Sequence, residues 1–280
     1  MHFNPALAGG GARREMSAAK RPLGLVTGAT AGIGKAFAER LAARGYDLIL
    51  VARDAGRLDA LAAELGVRHG GISVEALPAD LGSDVEIERL GARIAGGPPL
   101  AILVNNAGFG VKGDLAATDP TVQTAMVHVH AVAPLRLCRA ALPAMLARRT
   151  GAIINVSSVA SFIYTPGNAN YSATKAYLTA FSEGLAAEVR HAGVRVQALC
   201  PGFTRTEFHD RMGLTPAERK RRPLWLSAEF VVDSSLRALE RGGPVVCIPD
   251  WRYRVLVFLI RHAPRHLLGR ATRRVHGADD

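Results

Sequence analysis

Cysteine is scarce: three thiols in 280 residues, Cys138, Cys200 and Cys247, lie far apart with no CxxC pair and no histidine at metal-ligand spacing. This excludes a disulfide scaffold and a zinc module, and implies free, mostly buried thiols in a reducing, cytoplasmic setting. Long apolar runs are also missing. The most apolar stretch, Val255 to Ile260, is six residues long, against the roughly 18 that a membrane-spanning helix needs. The opening MHFNPALAGGGARREMSAAKRP has no continuous apolar segment of the secretory kind and no hydrophobic period. Residues 1–22 therefore read as a disordered extension, with Met16 a candidate translational start.

What is present is a chain of 29.7 kDa with 49% hydrophobic and 21% charged residues, enough for one sizeable core and too little for two domains. A disordered or collagen-like chain is excluded by the same composition. The formal charge of +11 divides as +3 over residues 1–22, +1 over 23–210 and +7 over 211–280. Because the positive charge belongs to the ends and no nucleic-acid motif accompanies it, no nucleic-acid partner is expected.

From Leu23 onward, short β-branched or Leu-rich runs alternate with amphipathic stretches. The strand candidates are Leu23 to Thr27, Asp47 to Ala52, Ser73 to Leu77, Leu100 to Asn105, Gly151 to Ser157, Val194 to Cys200 and Pro244 to Ile248. Between them the helix candidates are Ile33 to Arg44, Ala55 to Leu65, Asp84 to Ala95, Thr121 to Arg148, Tyr171 to Ala192 and Ala228 to Arg241. Runs such as AILVNN and DLILVA are apolar on both faces, as buried parallel strands are. The alternation predicts an α/β fold, a doubly wound parallel sheet of about seven strands with helices on both faces, in one domain over residues 23–250. The irregular segment Pro201 to Leu226, 26 residues that begin at a strand's carboxyl end, reads as a substrate lid. Its Phe203, Phe208, Met212, Leu214, Leu224 and Trp225 favour an apolar substrate.

After the first strand, Thr27 to Gly34 (TGATAGIG) opens into a helix. Gly28, Gly32 and Gly34 permit left-handed angles and let the main chain of Thr30, Ala31 and Ile33 approach a pyrophosphate at a helix N-terminus. The spacing is GxxxGxG, not the usual GxGxxG. At the end of the second strand the residues are Ala52, Arg53 and Asp54. Arg53 favours a 2′-phosphate and hence NADP(H) over NAD(H). The competing reading turns Asp54 inward onto the ribose hydroxyl and leaves Arg53 a surface charge.

Tyr171 and Lys175 lie one helical turn apart, on one face. A phenol with an ordinary pKa near 10 needs a neighbouring cation to exchange protons at neutral pH, and Lys175, with the positive nicotinamide ring of an oxidised cofactor, is placed to supply it. Ser158, at the end of the strand GAIINVS, is placed to hydrogen-bond a substrate carbonyl. An exposed YxxxK pair and a strand-capping serine are the bland alternatives.

Taken together these motifs resemble the short-chain dehydrogenase/reductase family, over Leu23 to about Ile248. They are TGATAGIG, Asp80-Leu81, NNAG at Asn105 to Gly108, Ser158, YSATK at Tyr171 to Lys175, and PGFTRT at Pro201 to Thr206. The resemblance implies that Asp80 and Leu81 flank the adenine, and that Asn105, Ala107 and Gly108 lie along the adenosine ribose and the central sheet. It makes Tyr171 the general acid/base, Lys175 the holder of the nicotinamide ribose and Ser158 the carbonyl's partner. Pro201, Gly202, Thr204 and Thr206 would border the nicotinamide. Where the family has an asparagine feeding a proton relay, this chain has His130. Either it sustains the relay, or it is only a buried helix residue; His128 reads as a surface or packing residue.

Trp251 to Arg274 carries seven arginines and no acid around an apolar centre. This basic amphipathic tail, over residues 251–280, suits either a cover over the pocket or a subunit interface, or a peripheral membrane contact. The expected function is an NADP(H)-dependent oxidoreductase acting on a small-molecule ketone, aldehyde or secondary alcohol. The alternative is a non-catalytic NADP(H) sensor or scaffold at a membrane surface. A homodimer or homotetramer is expected, formed through the helices Thr121 to Arg148 and Tyr171 to Ala192.

Overall fold

The computed structural model describes residues 21–111, 113–208 and 224–262. The expected disorder before residue 21, Met16, the lid residues Met212 and Leu214 and the tail beyond 262 lie outside them.

Seven parallel strands form one sheet in the order β3-β2-β1-β4-β5-β6-β7. They are β1 (Leu23–Thr27), β2 (Asp47–Ala52), β3 (Val74–Pro78), β4 (Leu100–Asn105), β5 (Gly151–Val156), β6 (Val194–Leu199) and β7 (Val246–Cys247). β1 and β5 are buried almost throughout because helices cover both faces, which is why their sequences do not alternate. The order reverses between β1 and β4, so their carboxyl ends, Thr27 and Asn105, flank a crevice.

On one face lie α1 (Gly32–Ala43) and α2 (Ala55–Arg68), with Phe37, Leu41, Leu58 and Leu65 in the core. The other face is covered by α3 (Asp84–Gly96), then α4 (Pro120–Val127) and α5 (Ala133–Ala147), then α6 (Ala169–Val189). α7 (Ala228–Glu240) packs beside α1, and α8 (Trp251–His262) closes the described chain. Buried Tyr253 and Val257 of α8 join the same core, so the packed body continues past residue 250.

The stretch expected as one helix from Thr121 is interrupted. Residues His128–Val132 form a π-turn between α4 and α5. Taken as a unit, Pro120–Ala147 has the length and hydropathy of a membrane-crossing helix, which the count of unbroken apolar residues missed. Its Met126, Val129, Leu137, Ala141 and Met145 are nevertheless buried against the sheet.

Candidate active site

The glycine loop closes β1 onto α1. Gly28 and Gly32 take φ of 64° and 53°, left-handed values that glycine reaches without strain. A Cβ on Gly34 would strike the Gly28 carbonyl and the Asn106 amide, and one on Gly32 would come within 2.7 Å of Thr206 Cγ2. α1 has no side-chain cap at Ala31 and no acid in its first turn, so its N-terminal N–H groups are left for an anion. The loop is braced from β4: Asn106 Nδ2 donates to the carbonyls of Thr27 (2.9 Å) and Gly28 (3.2 Å). Thr27 Oγ1 in turn accepts the N–H groups of Asn106 and Ala107. An open helix end behind a glycine-rich, braced loop fits a dinucleotide pyrophosphate.

At the adenosine end, Arg53 is exposed and makes no hydrogen bond or ion pair with a described residue. Asp54 caps α2, its Oδ1 accepting the Arg57 N–H at 3.0 Å. That bond engages the carboxylate which the competing reading turns toward a ribose. Sequence reasoning missed Arg57, whose guanidinium donates to the Thr30 carbonyl at 3.3 Å and pairs with Glu207 at 2.7 Å. The available signal was its position one turn beyond Arg53. Asn106 was also missed, although a second amide directly after a buried strand faces this loop.

Three residues expected near the adenosine have defined partners within the protein. Asn105 is buried and its amide donates to Asn155 Oδ1 at 2.8 Å, so its side chain ties β4 to β5. Leu81 is in the core, and Asp80 Oδ1 accepts the Gly82 N–H at 2.9 Å, forming a local turn. For Leu81 and Asn105, only the backbone remains to face a nucleotide. Gly108 has no room for a side chain: a Cβ would lie 2.7 Å from His130 Nε2 and 3.6 Å from Lys175 Nζ.

Beside the glycine loop, at the carboxyl end of β5, the structure gathers Ser158, Tyr171 and Lys175. Ser158 Oγ accepts the Ala160 N–H at 3.1 Å, which leaves its own proton to donate. α6 begins two residues earlier than the sequence pattern predicts, at Ala169, and its buried face runs through Ser172, Lys175, Leu178, Thr179 and Ser182. Lys175 Nζ donates to the Val156 carbonyl at 2.9 Å and stands 5.8 Å from the Tyr171 ring centroid. Burial pushes the Tyr171 phenol up to about 12, partly countered by a hydrogen bond with Ser158. Burial brings Lys175 down to about 8. Lys175 alone does not bring the phenol below its ordinary value. Desolvation outweighs a cation that is itself bound to a carbonyl.

Of the two readings of His130, the geometry favours the buried helix residue. Its Nε2 accepts the Phe109 N–H at 3.1 Å, which places the ring proton on Nδ1, 2.9 Å from Thr174 Oγ1. Thr174 Oγ1 in turn donates a hydrogen bond to the Tyr171 carbonyl at 2.9 Å. Burial, and then the neighbouring Lys175, hold the imidazole well below its usual pKa. With both nitrogens engaged and the ring neutral, His130 is a bracket between the β4 loop and α6. His128 is half-buried, as a packing residue would be.

The segment after β6 borders this centre. Val159 donates to the Pro201 carbonyl at 3.0 Å, Thr204 Oγ1 donates to the Gly202 carbonyl, and Thr206 packs over Gly32. Phe208 lies 5.9 Å from Tyr171, ring to ring, on an apolar side of the site.

The family model for short chain dehydrogenases matches residues 23–216. The chain belongs to the short-chain dehydrogenase/reductase family. A short-chain dehydrogenase from Sphingobium yanoikuyae, solved in complex with NADPH, is 35% identical with a TM-score of 0.77, over 92% of this chain and 96% of that one. An uncharacterized oxidoreductase of Myxococcus xanthus is 31% identical over 90% of this chain and 96% of its own length. A very-long-chain 3-oxoacyl-CoA reductase of Anas platyrhynchos is 36% identical over 66% of this chain. The chain spans only 60% of that relative's length and 52% of the corresponding Podospora anserina protein.

Proposed function

We propose that the chain is an NADP(H)-dependent oxidoreductase of apolar ketones or aldehydes and the corresponding secondary alcohols, with Tyr171 as general acid in reduction and base in oxidation. The observation that carries this reading is the convergence of Ser158, Tyr171 and Lys175 beside the glycine cradle at the carboxyl end of β5.

Gly28, Thr30, Ala31, Gly32, Ile33 and Gly34 would hold the pyrophosphate. Asp80, Leu81, Asn105, Ala107 and Gly108 would line the adenosine, and Pro201, Gly202, Thr204 and Thr206 the nicotinamide. Arg53 supplies an exposed cation at the adenosine end, with Arg57 next to it paired with Glu207, while Asp54 is engaged in capping α2. This charge pattern supports NADP(H) over NAD(H). When bound, the nicotinamide supplies or accepts the hydride.

Ser158 donates its free proton to the substrate oxygen and orients the carbonyl. Tyr171, protonated at neutral pH, transfers its proton to the developing alkoxide, a far stronger base than a phenolate. Lys175 would hold the nicotinamide ribose. Phe208 and Phe109 near the reacting centre favour an apolar substrate. The full set of Ser158, Tyr171 and Lys175 speaks against a non-catalytic sensor.

Three free buried thiols support a cytoplasmic location. Val122, Val127, Leu135 and Leu146 on α4 and α5 and Tyr177 on α6 are exposed, which supports a homodimer or homotetramer through these helices. The test is Tyr171→Phe: NADPH binding, followed by nucleotide fluorescence, is retained, and turnover of a ketone panel falls by about 10²-fold or more. Retained turnover contradicts the assignment.

A further inference from the structure

α8 is amphipathic in an unusual sense. Its inner face buries Tyr253 and Val257, while Trp251, Val255, Phe258 and Leu259 are exposed by 69%, 49%, 60% and 58%. The spacing i, i+4, i+7, i+8 puts these four on one outward stripe. By the same geometry Arg252 flanks one side of the stripe, and Arg254 and Arg261 the other. Arg254, Val257, Phe258, Arg261 and His262 line an open groove along the helix.

We propose that this face docks on an anionic lipid bilayer and that the substrates are apolar carbonyl compounds dissolved in it, an inference whose substrate part depends on the proposed function. Charge complementarity selects the partner. On the described face Arg252 is paired with Asp250 at 2.9 Å, while Arg254 and Arg261 pair with no described acid, and the sequence from 251 to 274 carries seven arginines and no acid, so an anionic headgroup layer is attracted. The apolar stripe, with an indole at one end, suits the headgroup boundary that amphipathic helices occupy.

α8 also bears directly on the substrate side of the site. The Tyr253 hydroxyl accepts the Phe203 N–H and donates to the Leu224 carbonyl, each at 3.0 Å. Its ring fills the space above Gly202, where a Cβ would collide with it. The docking helix therefore holds Phe203 and Leu224 in place, beside the residues that border the reacting centre.

The test is co-sedimentation of the full chain with vesicles of phosphatidylcholine, alone or mixed with phosphatidylglycerol. Binding is expected to be at least about tenfold stronger to the mixed vesicles. Phe258→Asp combined with Leu259→Asp should remove that binding by at least about tenfold. The double variant should keep wild-type turnover on a water-soluble ketone but lose turnover on a long-chain ketone carried in anionic vesicles. Equal binding to both vesicles, or wild-type binding by the double variant, overturns the docking. Conversion of an oligomer to monomers by the double variant, seen in sedimentation velocity, assigns the face to a second copy and also overturns it. Docking with no turnover on any carbonyl leaves the surface standing and removes the proposed function. Turnover without docking does the reverse.

Discussion

Replacing His130 by asparagine should flatten the acid side of the stability profile. The imidazole is 1% exposed, and burial and Lys175 hold it well below its usual pKa near 6.5. In the unfolded chain it takes a proton below about 6.5. Because the folded pKa is depressed, this penalty is absent above 6.5. It grows as pH falls and stops growing only where the folded ring is finally protonated. While the folded ring stays neutral, each pH unit well below 6.5 removes about 1.4 kcal/mol, which sets an upper bound of about 2 kcal/mol between pH 7.5 and 5.0. Asparagine has no proton to gain, and its carbonyl and amide can serve Phe109 N–H and Thr174 Oγ1 as the two ring nitrogens do. Urea unfolding followed by tryptophan fluorescence at pH 7.5 and 5.0 measures the difference. Every other titrating group is shared, so the wild type should lose more stability than the variant over this interval, up to about 2 kcal/mol. Parallel losses would mean that His130 becomes charged in the fold, and would refute its role as a neutral bracket.

Gly34→Ala forces a methyl against the Gly28 carbonyl and the Asn106 amide; a cost of about 2 kcal/mol should weaken NADPH binding roughly thirtyfold in a fluorescence titration. Arg53→Ala and Arg57→Ala should each weaken NADPH by about tenfold while leaving NADH little changed, and equal losses for both nucleotides would contradict a 2′-phosphate contact. Lys175 sits at about 8, so its ammonium is lost as pH rises through that value and turnover should fall with it. Lys175→Arg, always charged, should move this alkaline limb upward in a kcat profile, whereas coincident limbs would exclude the lysine.

The β-α alternation was legible because each strand is buried on both faces and each helix on one. The strand ends moved by a residue or two, and β7 shrank to Val246–Cys247 where the sheet edge loses a neighbour. The π-turn at His128–Val132 was not legible: an inserted helical residue leaves no mark on apolar periodicity. Within the site, residue types and spacing pointed to Ser158, Tyr171, Lys175 and the glycines. What spacing does not convey is where a side chain points. Asn105 turns into the sheet toward Asn155 while Asn106 braces the glycine loop, and Asp54 turns back to cap its helix. The tyrosine's electrostatics were missed for a related reason, since desolvation is a property of the packed site and not of a four-residue interval.

The most direct test is an ultraviolet titration of the Tyr171 phenol, taken as the difference between wild type and Tyr171→Phe, with and without oxidised nucleotide. The account predicts ionisation at about 12 in the free chain and a clear shift toward neutral pH when NADP+ is bound beside Lys175. A phenol that ionises at the same pH in both states would contradict proton transfer by Tyr171.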